Sequence, residues 1–159
     1  MNESMEFLKK HRRKSALFDA NLLLVYLVGQ CGQHQLNRSG RTQQYAHFYP
    51  LLERVVEKHF SVLYTTPNVL TEVSNLGRDL GVPFFTALRR VARLLNEEYC
   101  TSKDAVECEK FTSLGLTDSG LLSVGEKVLI VTVDLPLYQI LRSRNIEAIN
   151  FTHIFKESL

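Results

Sequence analysis

The sequence predicts an α/β fold in which a parallel sheet carries helices on both faces. Three observations predict it. Short apolar runs rich in β-branched residues alternate along the chain with segments of helical periodicity. One run, VLIVTV at 128–133, is so uniformly apolar that both its faces must be buried, as in the middle of a parallel sheet. Another, at 16–18, stops at Asp19 before a second apolar run begins at Leu22. A carboxylate between two hydrophobic elements is costly inside a dry core, so it belongs at a strand's carboxyl end, where open α/β sheets place their ligands.

In chain order, residues 1–14 lack sustained periodicity and form a basic N-terminal arm, with Lys9, Lys10, His11, Arg12, Arg13 and Lys14, ahead of a domain at 15–159. Residues 16–18 are the first strand, and 22–28 open the first helix. Residues 29–41, polar and with three glycines, read as a loop. Between 42 and 59 the apolar positions Tyr45, Phe48, Leu51, Leu52, Val55 and Val56 recur at helical spacing, which predicts one amphipathic helix. Residues 61–65 are the second strand. Thr66 and Pro67 start a helix, because threonine caps the first amides and proline suits the first helical position. On it Asn68, Glu72 and Asn75 share a face.

Residues 77–81 are a break. Residues 82–95 form a helix with Phe85, Leu88, Val91, Leu94 and Leu95 inward, and Ser102 caps a further one from Lys103. At 114–122 Thr117 caps a short helix with Asp118 in its first turn. Residues 127–133 are the clearest strand, ending at Asp134. A helix at 135–144 and a strand at 146–151 close the chain.

Composition bounds the class. At 159 residues, 45% hydrophobic and 23% charged, the chain suits one compact core. Cys31, Cys100 and Cys108 lack zinc-site spacing and read as reduced thiols. The basic arm followed by an apolar run imitates a signal peptide, but Asp19 and Asn21 interrupt it and the run is too short to span a bilayer. A cytoplasmic protein without a membrane segment is expected. The net charge of +2 is uninformative, but its clusters are not: the 9–14 arm, Arg38 with Arg41, Arg89 with Arg90 and Arg93, and Arg142 with Arg144 are candidates to meet a polyanion.

Asp19, Glu72 and Asp134 stand at strand ends or in the helix starts that follow, and Asp118 opens the helix before the central strand. In a parallel sheet all carboxyl ends open on one edge, so these distant carboxylates converge there. Unpaired, they would raise one another's pKa, and a hard cation such as Mg²⁺ or Mn²⁺ is what settles such a cluster. Taken singly, each has a plainer role as a helix cap or a solvated acid.

FDANLLL (18–24), TPNVLTEV (66–73), LTDSGLL (116–122) and VTVD (131–134) together resemble the four acidic motifs of the PIN domain, in order and approximate spacing, over roughly residues 15–151. The resemblance implies a three-layer α/β/α sandwich with a central parallel sheet and a metal-dependent ribonuclease site of the VapC-like kind. Carried over by residue, it makes Asp19, Glu72, Asp118 and Asp134 the catalytic, metal-binding acids. Asn21 and Thr132 are the polar residues beside them. Asn68 and Asn75 are further candidates to orient carboxylates or water.

RNA is the implied substrate. Arg38, Arg41, Arg12 and Arg13 are candidates to steer it, and Tyr45, His47, Phe48 and Tyr49 to stack bases, Phe48 more naturally belonging to the core. A homodimer, and an antitoxin partner if the chain is a toxin, are further expectations. The chain is longer than the compact toxins of the family, so an RNA-processing or defence nuclease is the alternative within the class. Outside it stands a non-catalytic PIN-like domain that binds RNA or protein. A haloacid-dehalogenase-type phosphatase would want an Asp where Asn21 stands, and no Gly-rich phosphate loop follows any strand.

Overall fold

A computed structural model describes Glu6, Leu8, Lys9 and residues 15–159. Its elements, in order, are β1 (Ser15–Phe18), α1 (Ala20–Cys31), α2 (Gly40–Gln43), α3 (Tyr49–Lys58), β2 (Val62–Thr65), α4 (Pro67–Leu76), α5 (Gly81–Ala92), β3 (Asn96–Glu97), α6 (Ser102–Val106), α7 (Phe111–Val124), β4 (Leu129–Thr132), α8 (Leu135–Ser143), β5 (Ala148–Asn150) and α9 (Phe151–Ser158). The five strands make one parallel sheet in the order β3-β2-β1-β4-β5. With helices on both faces it is the α/β sandwich that the alternation of apolar runs predicts.

The strand order positions the site. From β1 the chain steps outward to β2 and β3 on one side, then returns to lay β4 against the other side of β1, with Ala16 opposite Leu129 and Phe18 opposite Val131. The order therefore reverses between β1 and β4, and in open α/β sheets the carboxyl ends at such a point are where ligands bind. β1 is short because it is central: Ala16, Leu17, Leu129 and Ile130 are wholly buried, and such side chains contribute about 1.5–3 kcal/mol each. α1 is apolar nearly all round, since Leu22, Leu24, Val25, Leu27 and Val28 are also fully buried between the sheet and other helices.

Several elements depart from expectation for identifiable reasons. Residues 42–59 are not one helix. Only Tyr49–Lys58 is α-helical at its end, behind a 3₁₀ turn at Ala46–Phe48, because Pro50 belongs in a first turn and ends any helix arriving from upstream. Residues 29–41 are not an open loop. They fold as the end of α1, a 3₁₀ turn at Gln33–Arg38 and the start of α2, pinned by the fully buried Leu36 and by Thr42 Oγ1, which donates to Leu36 O at 2.7 Å.

On α5 Val91 is buried and Leu88 packs against the core as expected, as does Leu95 beyond it, but Phe84 and Ala87 also turn inward while Phe85 and Leu94 are exposed. Gly77 accounts for this: a Cβ there would overlap the Phe84 ring, so glycine is what lets Phe84 turn inward. Thr101, not Ser102, caps α6, and Thr117 lies inside α7 rather than capping it. The two-residue β3 and the closing helix α9 were both absent from the expectation. Thr66 does cap α4 as expected, its Oγ1 accepting from Val69 N at 3.1 Å.

No helix among the described residues is long and apolar enough to cross a membrane. The three cysteines are free. The arm residues Arg12 and Arg13 lie outside the described residues.

Candidate functional site

Asp19 is the residue on which the crevice is built. It directly follows β1, is 3% exposed, and caps α1 with Oδ1, which accepts from Leu22 N at 2.8 Å. Its Oδ2 accepts from Val133 N at 2.8 Å and from the Thr132 hydroxyl. Thr132 in turn accepts from Asp134 N at 2.9 Å, and Asp134 caps α8 by accepting from Leu137 N at 2.8 Å. A single chain of hydrogen bonds thus ties the end of β1 to the end of β4 across the switch point. Burial pushes the Asp19 carboxyl above the ordinary aspartate value despite these three donors, and the nearby Asp134 charge adds to the rise.

Thr132 is buried at 0% exposure and both donates and accepts in this chain. Thr132→Val, which keeps the shape and deletes the hydroxyl, leaves Asp19 Oδ2 and Asp134 N short of a partner. We expect a loss of about 1–3 kcal/mol in urea unfolding, with Thr132→Ser close to the parent.

The other two acids arrive from α4 and α7. Asp118 is mostly buried, and its carboxyl is pushed up to about 7, first by that burial and then by the charges of Asp19, Asp134 and Glu72. All four acids therefore share one electrostatic neighbourhood. Their juxtaposition was expected from the strand ends, and it brings together residues separated by up to 115 positions (134 − 19). Asp118 reaches the group because α7 is interrupted at Gly115, whose φ of 80° restarts the helix just ahead of it. Among the described residues none of the four is in an ion pair.

The remaining candidates divide. Asn21 and Asn68 are half-buried in the first turns of α1 and α4, at the same edge as the acids. Asn75 lies at the far end of α4, exposed, accepting from Arg78 Nη2 at 3.4 Å, and the structure does not bring it to the acids. Arg38 donates to Gln35 Oε1 at 2.9 Å on its own turn, Arg41 is exposed, and neither pairs with an acid.

Of the aromatic candidates, Phe48 is core, packed against Phe151 and Phe155. Tyr49 is also buried, its hydroxyl donating to Glu53 Oε1 at 2.7 Å, so it offers no platform for a base. Tyr45 is different. The folded 33–43 segment carries the chain back toward the crevice, where Tyr45 stacks on Phe48 with ring centroids 5.9 Å apart. Burial raises its hydroxyl pKa, and the Asp19 and Asp134 charges raise it further. Sequence periodicity marks Tyr45 only as an apolar helix position.

The donor set fits a hard divalent cation in chemistry and charge, being four carboxylates without a protein counter-charge, one of them held half-protonated at neutral pH. Among the described residues no three acid, histidine or cysteine side chains yet surround a common point closely enough to grip an ion. Asp19 is held by its own donors, and Glu72 is exposed. No family model, curated protein or solved structure matches this chain, so the purpose of the acidic crevice has to be read from its own chemistry.

Proposed function

We propose that the chain is a metal-dependent endoribonuclease of the PIN type, hydrolysing RNA phosphodiester bonds at the crevice between β1 and β4. The observation that carries the reading is the hydrogen-bonded chain that holds Asp19 and Asp134 together at the ends of β1 and β4, beside an Asp118 whose carboxyl is pushed up to about 7, first by burial and then by the charges of Asp19, Asp134 and Glu72. Buried like charges are unfavourable unless a positive ligand joins them, and Mg²⁺ or Mn²⁺ is the ligand their oxygens suit.

Asp19, Glu72, Asp118 and Asp134 would hold the ion. When bound, such an ion supplies positive charge to the phosphate and makes water acidic enough to be a nucleophile near neutral pH. The chain's own groups do the rest. Thr132 and the amides of Leu22 and Val133 fix Asp19 in one orientation, so its charge is preorganised rather than gathered during the reaction. The Tyr45 hydroxyl, which feels the Asp19 and Asp134 charges, would donate to a phosphate oxygen.

The metal requirement is tested by incubating the purified chain with single-stranded and structured RNA. Cleavage is expected with Mg²⁺ or Mn²⁺, none with EDTA, and recovery on adding back the metal in excess. Cleavage that persists in EDTA would remove the reading. Whether the nuclease is a toxin with an antitoxin partner or a processing or defence enzyme is then decided by growth arrest on expression and its relief by a neighbouring gene.

A further inference from the structure

A cavity at α7 shares no lining residue with the four acids. It has a volume of about 210 Å³ and is lined by Asp104 and Cys108 from the α6 region, Ser119, Ser123 and Glu126 from α7 and its end, and Arg144 beyond α8. Ser119 is 2% exposed, yet its Oγ has no hydrogen-bond partner. A helical serine ordinarily bonds the carbonyl four residues back. Here that carbonyl belongs to Gly115, whose φ of 80° and ψ of −179° take it out of the helix. A buried hydroxyl left without a partner loses the hydrogen bonds it had with water, and a ligand that engages it restores one.

The rim supplies the rest of the recognition. Asp104, Glu126 and Arg144 are exposed around the opening, and among the described residues none is in an ion pair. Two carboxylates and one guanidinium complement a ligand with one negative and two positive groups. The cavity volume admits a molecule of about a dozen heavy atoms and is too small for a nucleotide or a folded partner.

We propose that this cavity binds a free basic α-amino acid, its carboxylate on Arg144, its two cationic groups on Asp104 and Glu126, and a polar atom on Ser119 Oγ. The assignment does not depend on the nuclease reading, because no residue of the acidic crevice takes part.

The test is calorimetric titration of the full chain with L-arginine, then with agmatine, which lacks the carboxylate, and L-citrulline, which lacks the side-chain charge. One saturable site for arginine is expected, weakened at least about tenfold by loss of either charged group. Arg144→Gln should weaken arginine by that factor and leave agmatine unaffected, while Glu126→Gln weakens both. Asp134→Asn should change nothing, which separates this cavity from the acidic crevice.

Ser119→Ala should weaken arginine several-fold without lowering the unfolding midpoint, because the hydroxyl it deletes has no protein partner. The proposal is overturned by the absence of saturable arginine binding at millimolar concentration, by binding that Arg144→Gln leaves intact, by binding lost with Asp134→Asn, or by a Ser119→Ala protein that is markedly less stable.

Discussion

Asp118→Asn is expected to make the protein more stable, not less, and only above mildly acidic pH. The folded state holds the Asp118 proton up to about pH 7, whereas the unfolded chain releases it near the ordinary aspartate value of 3.8. Below that lower value both states are protonated and the substitution is neutral. As pH rises from about 4 to 7, the unfolded state gains the free energy of ionisation and the folded state does not, so the parent loses stability over that window. At about 1.36 kcal/mol per unit, discounted for partial solvent access, the variant should be ahead by about 2–4 kcal/mol at pH 8. Urea unfolding of both proteins at pH 4 and pH 8 measures this. A difference independent of pH would mean that Asp118 does not feel its neighbours. The same variant should cleave RNA poorly, the familiar opposition between stability and a charged site.

Asp134→Asn should do the reverse, sparing the fold while abolishing the chemistry. Asparagine caps helices about as well as aspartate, and its carbonyl oxygen can still accept from Leu137 N, so stability should stay within about 0.5 kcal/mol of the parent. The lost negative charge removes a ligand of the proposed cation, and a cation is worth several kcal/mol to the reaction. Initial rates of RNA cleavage in Mg²⁺ should therefore fall about 10³-fold. Asp19→Asn is a less clean probe. Its amide nitrogen would face either the Leu22 or the Val133 N–H, donor against donor, and the fold would suffer with the activity. A well-folded Asp134→Asn protein that cleaves at the parental rate would remove Asp134 from the catalytic group.

What the sequence could disclose followed from what is locally encoded. The runs at 16–18 and 128–133 announce buried strands because both faces must be apolar, and Asp19 and Asp134 announce the strand ends because a charge cannot continue into the core. With a parallel sheet these facts bring four distant acids to one edge. Features set by tertiary contact were illegible. β3 is two residues long and pairs only with Tyr64 and Thr65. The face of α5 depends on Gly77 admitting the Phe84 ring. The polar 33–43 segment looks like a loop because its order rests on Leu36 and on one threonine hydroxyl. The orphaned Ser119 hydroxyl is likewise a product of the kink at Gly115, visible only in three dimensions.

Titration of the protein with Mn²⁺, followed by the loss of the free-ion paramagnetic resonance signal, reaches the central claim most directly. Binding should tighten as pH rises through about 7, where Asp118 gives up its proton, and should be lost in Asp134→Asn and in Asp118→Asn, both of which stay folded. Mn²⁺ left free in solution at pH 8, or bound equally well by those two variants, would contradict it.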